Sequence, residues 1–331
     1  MPVPAIIFPS DPLHPRRPDP HFAWEARTLR ELGGEHHLVD HDELLAGRAE
    51  EAVRRVPQGS GPLWYRGWML PSARYADFAA ALAARGGTLL TSPPGYAAAH
   101  ELPGWYDVFE GATPASAWIP SDAAVAPGPA ELAEAAARLG GQGPAIVKDY
   151  VKSRKHEWYE ACYVPELADL AAVGRVVDRF VELQGEFLAG GVVLRQYEEF
   201  EGAGVPVEGP GGTGGPGGTD GAGGTGGAGG TDGAAGGADG GGRAAEARVW
   251  WLDGRPVLVG PHPDAPRRAV EPDLADVPAL VRRLGCRFVT TDLASRADGS
   301  GWRVVEVGDG QVSDLPRGID ASGLLAALIA A

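Results

Sequence analysis

The chain has 331 residues, 44% of them hydrophobic, which is enough for two domains or one large one with a sizeable core. A formal charge of −15 and a pI near 5.0 argue against a general nucleic-acid or anionic-membrane binder, since such proteins need a basic face to displace counterions. Cys162 and Cys286 lack CxxC spacing, so they supply neither a metal framework nor a disulfide scaffold and are expected as buried thiols. The start "MPVPAIIFPSDP" lacks a basic region and a signal-length apolar run. The late run "GLLAALIAA" is far shorter than a membrane span, so the expected compartment is the reducing cytoplasm.

In chain order, "PAIIFPS" reads as a strand, "HFAWEARTLRELGG" as a helix and "EHHLVD" as a strand. A helix from Asp42 to Arg55, the strand "GPLWYRG", a helix from Pro71 to Ala84 and the strand "GGTLLTSP" follow. This alternation predicts a mostly parallel sheet within residues 1 to about 110. Next come "ATPASAWIP", the helix "GPAELAEAAARLGG" and the strand "PAIVKDY". A helix from Glu166 to Gln184 follows, with Leu170, Val173, Val177 and Val181 apolar, and then the strand "GGVVLRQY". Residues 202–242, nearly all Gly, Ala, Thr, Pro and Asp, cannot bury enough apolar surface to offset their ordering entropy. Strand patterns flank this tract on both sides, which makes it a flexible loop within one sheet. "EARVWWLDGRPVLVGPH" is a hairpin turning at Asp253-Gly254. A helix "DVPALVRRLG", strands "RFVTTDL" and "GWRVVEVGD" joined by "ADGSG", and a C-terminal helix complete the chain.

Chemistry concentrates in a few places. Lys148, Lys152 and Lys155 are the only lysines in the chain, gathered in "AIVKDYVKSRKHEW". Lys148 ends a strand, where an ammonium can project towards phosphate oxygens, although a charge run after a strand is also what a solvated turn looks like. GxxxxGK[ST] is absent, so this is not a Walker loop. Alternation in "GWRVVEVGDG" puts Trp302, Val304 and Glu306 on one face. Asp292 on the facing strand, Glu306 and the nearby Asp309 offer hard oxygen ligands for Mg²⁺, or else solvated carboxylates. Glu246 and Arg248, two apart, share a strand face. Arg195 is a charge within a strand. Glu198 and Glu199 after it can hydrogen-bond a ribose or simply be solvated. Arg66 at a strand end can grip a carboxylate bidentately or sit in an exposed loop.

The ordered set of Lys148, "VVLRQYEEF", "EARVWWLDGRPV" and "FVTTDLA…WRVVEVGDG" resembles the ATP-grasp superfamily over about residues 112–331. Within it, the chain looks like the clade named for one arginine and two lysines. The resemblance implies an α/β and α+β fold: an N-terminal α/β domain over residues 1–111, then a two-lobed ATP-grasp domain over 112–331, interrupted by the disordered Gly-rich insertion at 202–242. It implies an ATP-dependent carboxylate–amine or carboxylate–thiol ligase, working through an acyl phosphate with ATP and Mg²⁺ as cofactors. Its partners would be a small-molecule or peptide carboxylate and an amine or thiol acceptor, without nucleic acid or membrane. A non-catalytic nucleotide-binding protein and a kinase-like phosphotransferase are alternatives on the same fold.

Carried over, Lys148 becomes the phosphate lysine, and Lys152 or Lys155 serves the phosphate loop. Gln196, Tyr197, Glu198, Glu199 and Phe200 become the hinge that reads adenine, with Glu198 or Glu199 on the ribose. Asp292 and Glu306 become the Mg²⁺ ligands, with Asp309 as a replacement for the asparagine common in the family. Arg195, Arg248 and Lys155 stabilise the transferring phosphoryl group. Arg66 and Arg317 shape the acceptor site. The usual upstream lysine is missing from "PPGYAAAHELPGWYD", where His100 is the candidate substitute.

Overall fold

The computed structural model describes residues 3–121, 125–202, 245–263, 271–316 and 318–331. The glycine-rich tract beyond residue 202 and Arg317 lie outside the described residues. The fold mixes helices with one parallel and two antiparallel sheets, the α/β and α+β class expected from the sequence. Strands β1 (Ala5–Pro9), β2 (His36–Val39), β3 (Gly61–Tyr65) and β4 (Gly87–Leu89) pair in parallel, in the order β2-β1-β3-β4. β1 is apolar throughout because both of its faces are covered. Ile7 joins the core under α4 (Ser72–Ala84), with Tyr75, Phe78 and Leu82. Ile6 and Phe8 join the core under α1 (Ala23–Glu31), with Ala26 and Leu29.

The segment expected as one helix from Asp42 to Arg55 is two short ones, α2 (His41–Leu45) and α3 (Ala49–Ala52). Gly47 at φ 77° sits between them in the left-handed region, where glycine ends a helix without steric cost. Helices α5 (Pro93–His100) and α6 (Leu102–Phe109) follow β4.

The second sheet is antiparallel, in the order β5-β8-β6-β7. It comprises β5 (Ser116–Pro120), β6 (Ala145–Lys148), β7 (Tyr163–Val164) and β8 (Gly191–Gln196). Helices α7 (Pro129–Arg138) and α8 (Leu170–Gln184) cover one face, with Leu132, Val173, Val177 and Phe180 packed on Val147, Val192 and Leu194. α8 starts later than Glu166 because the Asp169 carboxylate accepts from Ala172 N and caps it.

The third sheet has the order β10-β9-β11-β12: β9 (Glu246–Leu252), β10 (Arg255–Pro261), β11 (Phe288–Ser295) and β12 (Trp302–Asp309). The strands on either side of the glycine-rich tract, β8 and β9, thus belong to different sheets, which corrects the expectation of a loop within one sheet. The β9–β10 turn has Asp253 at φ 50° and Gly254 at φ 73°, the two positive angles that a tight hairpin turn of this kind needs. One face, with Val249, Trp251, Val289 and Val307, packs on α6 and on α9 (Val277–Leu284). On the other face, Trp250, Leu252 and Phe288 pack against Ile6, Phe8 and Trp64 of the first sheet and against α10 (Ser322–Ala330). Trp64 Nε1 donates to Leu328 O at 2.8 Å, tying the last helix back to β3.

A bulge in β12 sets which carboxylates meet. Register runs Thr290↔Gly308 and Asp292↔Glu306, then slips to Leu293↔Val304, leaving Val305 as the extra residue. Trp302 and Val304 therefore pack with the α6 core. Glu306 lies on the opposite face beside Asp292, which corrects the simple alternation expected for this strand. Among the described residues no helix is long and apolar enough to cross a membrane.

Candidate active site

Lys148 ends β6 of the second sheet, and Glu306 lies in β12 of the third. They meet across the gap, with Lys148 Nζ donating to Glu306 Oε1 at 3.1 Å and only 7% and 17% of the two side chains exposed. A cation from one lobe is thus held against an acid of the other.

Asp292 sits beside Glu306 on β11, and Arg248 sits beside Asp292 on β9. Arg248 grips Asp292 with Nε to Oδ1 and Nη2 to Oδ2, both 2.7 Å. His262 Nε2 lies 2.8 Å from Arg248 Nη2 and 3.5 Å from Asp292 Oδ2. Burial works to raise the Asp292 pKa, but the charges of Arg248, His262 and Lys155 together with the Arg248 hydrogen bonds hold it below the usual carboxylate range. Asp292 stays ionised despite being buried. Nothing in the sequence pattern singled out His262, because its contacts come from the hairpin register.

Two cationic donors stand without partners among the described residues. Lys155 Nζ and Arg195 Nη1 are buried with no hydrogen-bond partner. Arg195 is 4% exposed, donates Nη2 to Thr113 Oγ1 and Val305 O, and lies over the Trp105 ring. Burial pushes its guanidinium down to about 10, with Glu306 and Glu198 opposing. Orphaned buried cations beside ionised carboxylates suit the oxygens of an anionic ligand.

Asp149 organises the lysine loop, and residue-level reading passed over it. Its carboxylate accepts from Val151 N, Lys152 N and Gln184 Nε2. Lys155 follows on a short 3₁₀ turn over residues 155–157. His100 lies within reach of the Lys152 and Lys148 charges, stacked on Tyr96. Burial, with those charges adding, pushes its imidazole down to about 4. At neutral pH it is uncharged and cannot replace a missing lysine's charge.

In the expected hinge, Gln196 N donates to Ala115 O and Tyr197 N to Pro144 O, so these two amides are already engaged. Glu198 is gripped by Arg303 at 2.7 and 2.9 Å, whereas Glu199 is exposed. Tyr197 closes an aromatic group with Trp158 and Tyr163, and Phe200 packs on Ala294.

Two expected site residues are placed elsewhere. Asp309 is on the far face of β12, where its Oδ1 accepts from Gln311 N and Nε2 and its Oδ2 lies 3.8 Å from Cys286 Sγ. Arg66 is fully buried and spent on Glu25 and on the carbonyls of Gly310, Gln311 and Ser313. Both brace the turn after β12. Among the described residues no group of three or more His, Cys, Asp and Glu side chains is arranged to hold a metal. Asp292 and Glu306 are a pair, and their anionic oxygens fit a divalent cation whose remaining ligands come from a nucleotide or water.

Burial raises the Asp309 pKa to about 7, with the Gln311 hydrogen bonds opposing. The folded state thus binds this proton more tightly than the unfolded chain, so its contribution to stability is lost as pH rises from about 4 to about 7. Asp309→Asn keeps the acceptor for Gln311 and is expected to raise stability by about 1–3 kcal/mol at pH 8, with little change at pH 4. Urea midpoints at both pH values check this.

A model of an ATP-grasp domain matches residues 138–328; it describes family 3 of the clade named for one arginine and two lysines. A RimK domain ATP-grasp protein from Sphaerobacter thermophilus DSM 20745 aligns with TM-score 0.55 at 14% identity, covering 99% of this chain and 100% of its own. D-cycloserine synthetase DcsG aligns with TM-score 0.56 at 14% identity, covering 98% of each chain. The ATP-grasp ligase PsnB, complexed with precursor peptide PsnA2 and AMPPNP, aligns with TM-score 0.52 at 16% identity, covering 99% of this chain and 97% of its own. At these identities the likenesses establish the fold. No curated protein sequence matches the chain.

Proposed function

The chain belongs to the ATP-grasp domains, in family 3 of the one-arginine, two-lysine clade, and from that premise we propose that it is an ATP-dependent ligase that activates a carboxylate as an acyl phosphate and joins it to an amine. The observation that carries this reading is the contact of Lys148 with Glu306 across the two sheets, beside the ionised Asp292. The gap between the sheets is where a triphosphate would lie, with Lys148, Lys155 and the free Nη1 of Arg195 as its cationic partners. Of the two loop lysines, Lys155 supports this best, because its amine is buried within the field of Asp292.

Asp292 and Glu306 would hold Mg²⁺, which when bound neutralises phosphate charge. The substrate carboxylate attacks the γ-phosphorus, the bond to the bridging oxygen breaks, and ADP leaves. The fixed cations offset charge building on the transferred group. Arg248 holds Asp292 in place rather than reaching the phosphates, since its Nε and Nη2 are engaged by Asp292. Exposed Glu199 fits a ribose hydroxyl better than Glu198, which Arg303 occupies.

The test is incubation with Mg·ATP and pooled proteinogenic amino acids and dipeptides, scored for ADP and for condensed mass. Both are expected from the wild type, and neither from Glu306→Gln. ADP with a phosphorylated, uncondensed product would replace the ligase reading with a kinase-like one.

A further inference from the structure

One reversal of strand order stays outside the site described so far. The sheet order β2-β1-β3-β4 reverses between β1 and β3. The loops leaving the carboxyl ends of these two strands therefore diverge, and open α/β sheets bind ligands in the opening that results. The loop after β1 carries Asp19 and His21, and the loop after β3 carries Trp68. A third wall comes from Asp314 in the turn after β12.

These four residues form one polar group. His21 N donates to Asp19 Oδ1 at 2.8 Å, and Trp68 Nε1 donates to Asp19 Oδ2 at 3.3 Å. His21 Nε2 lies 2.6 Å from Asp314 Oδ1, with 35% and 31% of the two side chains exposed. Its ring centroid is 4.6 Å from that of Trp68. With Nε2–H given to Asp314, the lone pair of Nδ1 has no hydrogen-bond partner among the described residues. The group is linked to the acid pair through one residue: Arg248, which grips Asp292, donates Nη1 to the backbone carbonyl of Asp314 at 3.4 Å. Nearby Glu25 is engaged by Arg66 and not available to a ligand.

We propose that this opening is the acceptor subsite for a primary amine, in which His21, backed by Asp314, removes a proton from the substrate ammonium. The proposal rests on the ligase reading above. Asp19, Asp314 and the face of Trp68 draw the cation in. His21 Nδ1 takes one ammonium proton, and the freed nitrogen pair attacks the acyl-phosphate carbonyl carbon. The C–N bond forms and the C–O bond to phosphorus breaks. Phosphate leaves with that electron pair and the second nitrogen proton, and His21 returns its proton to solvent.

The groups facing His21 set its pH response. Its hydrogen bond to Asp314 raises the imidazole pKa above the ordinary value, burial opposes, and the charges of Asp314, Glu25 and Asp19 add to the rise. The Asp314 carboxylate in turn faces Arg66 and Arg248. The base form, and with it the rate of amide formation, grows as pH rises through that raised value.

The experiment uses the full chain with Mg·ATP, pooled proteinogenic amino acids as carboxylates, and one of two nucleophiles. Methylamine is a cation at neutral pH and needs a base. Hydroxylamine is already neutral there and does not. His21→Gln is expected to cut methylamide formation about 100-fold while hydroxamate formation stays within about twofold of wild type. The wild-type methylamide profile should level off above the His21 pKa, whereas that of His21→Gln should keep rising about tenfold per pH unit with the free-amine fraction. Asp314→Asn should give a smaller loss in the same direction. Equal loss of both products, or loss of neither, would overturn the subsite while leaving the ligase reading intact. Absence of hydroxamate from the wild type would overturn the ligase reading, and this proposal with it.

Discussion

Lys148→Met is expected to lower ATP turnover by about 10²–10³-fold, the usual consequence of removing one preorganised charge from a phosphoryl-transfer site. Methionine keeps most of the buried stem, so packing in β6 is retained and the missing element is the ammonium. The Lys148 and Glu306 side chains are only 7% and 17% exposed, so removing the ammonium should also cost stability, on the order of 1–3 kcal/mol, less than for a fully buried pair because Glu306 keeps some access to water. Lys148→Arg should not restore activity, since a planar fork cannot replace a compact ammonium in a gap closed by Glu306. ADP release and urea midpoints on the same preparations separate the two effects. Turnover within threefold of wild type for Lys148→Met, roughly 0.6 kcal/mol, would remove Lys148 from the site.

Arg66→Met is expected to have the largest effect on stability, about 3–5 kcal/mol, because it leaves a buried carboxylate without its partner. Glu25 is 1% exposed and takes Nε at 2.9 Å and Nη2 at 2.8 Å. Nη1 serves the carbonyls of Gly310, Gln311 and Ser313 at 2.9, 3.1 and 2.9 Å. Removing the guanidinium therefore strands an anion and three acceptors together. Arg66→Met combined with Glu25→Met should recover part of the loss, since the costly species is the lone charge and not the absent pair. Urea denaturation of the single and double variants tests this. A loss under about 1 kcal/mol in the single variant would mean that the junction relaxes or hydrates Glu25.

The same junction shows what a linear reading of the chain can reach. Alternation, the Asp253-Gly254 turn and the apolar face of α8 are local properties, so the strands and helices they predict are present. Helices α5 and α6 escaped notice because "PPGYAAAH" and "LPGWYDVF" carry the proline and glycine that usually signal turns. Here the prolines sit in the first turn, where a missing N–H costs nothing.

The pairing of Asp292 with Glu306 was legible, while the face shared with Val304 was not. One bulged residue shifts the phase of a strand, and no sequence pattern marks it. Arg66 looked like an exposed loop or substrate residue until its partners appeared, the most distant 247 positions away. The His21–Asp314 contact spans 293 positions and was equally out of reach. Of the three lysines, only the fold distinguishes Lys155, with its orphaned buried amine, from Lys152.

The acyl phosphate is the central claim, and oxygen transfer tests it most directly. The incubation with Mg·ATP and pooled amino acids is repeated with carboxylates labelled with ¹⁸O. If the carboxylate attacks the γ-phosphorus and the acyl phosphate is then captured by an amine, the inorganic phosphate released will carry one carboxylate oxygen. ADP formed together with unlabelled phosphate and a condensed product would contradict the acyl-phosphate route.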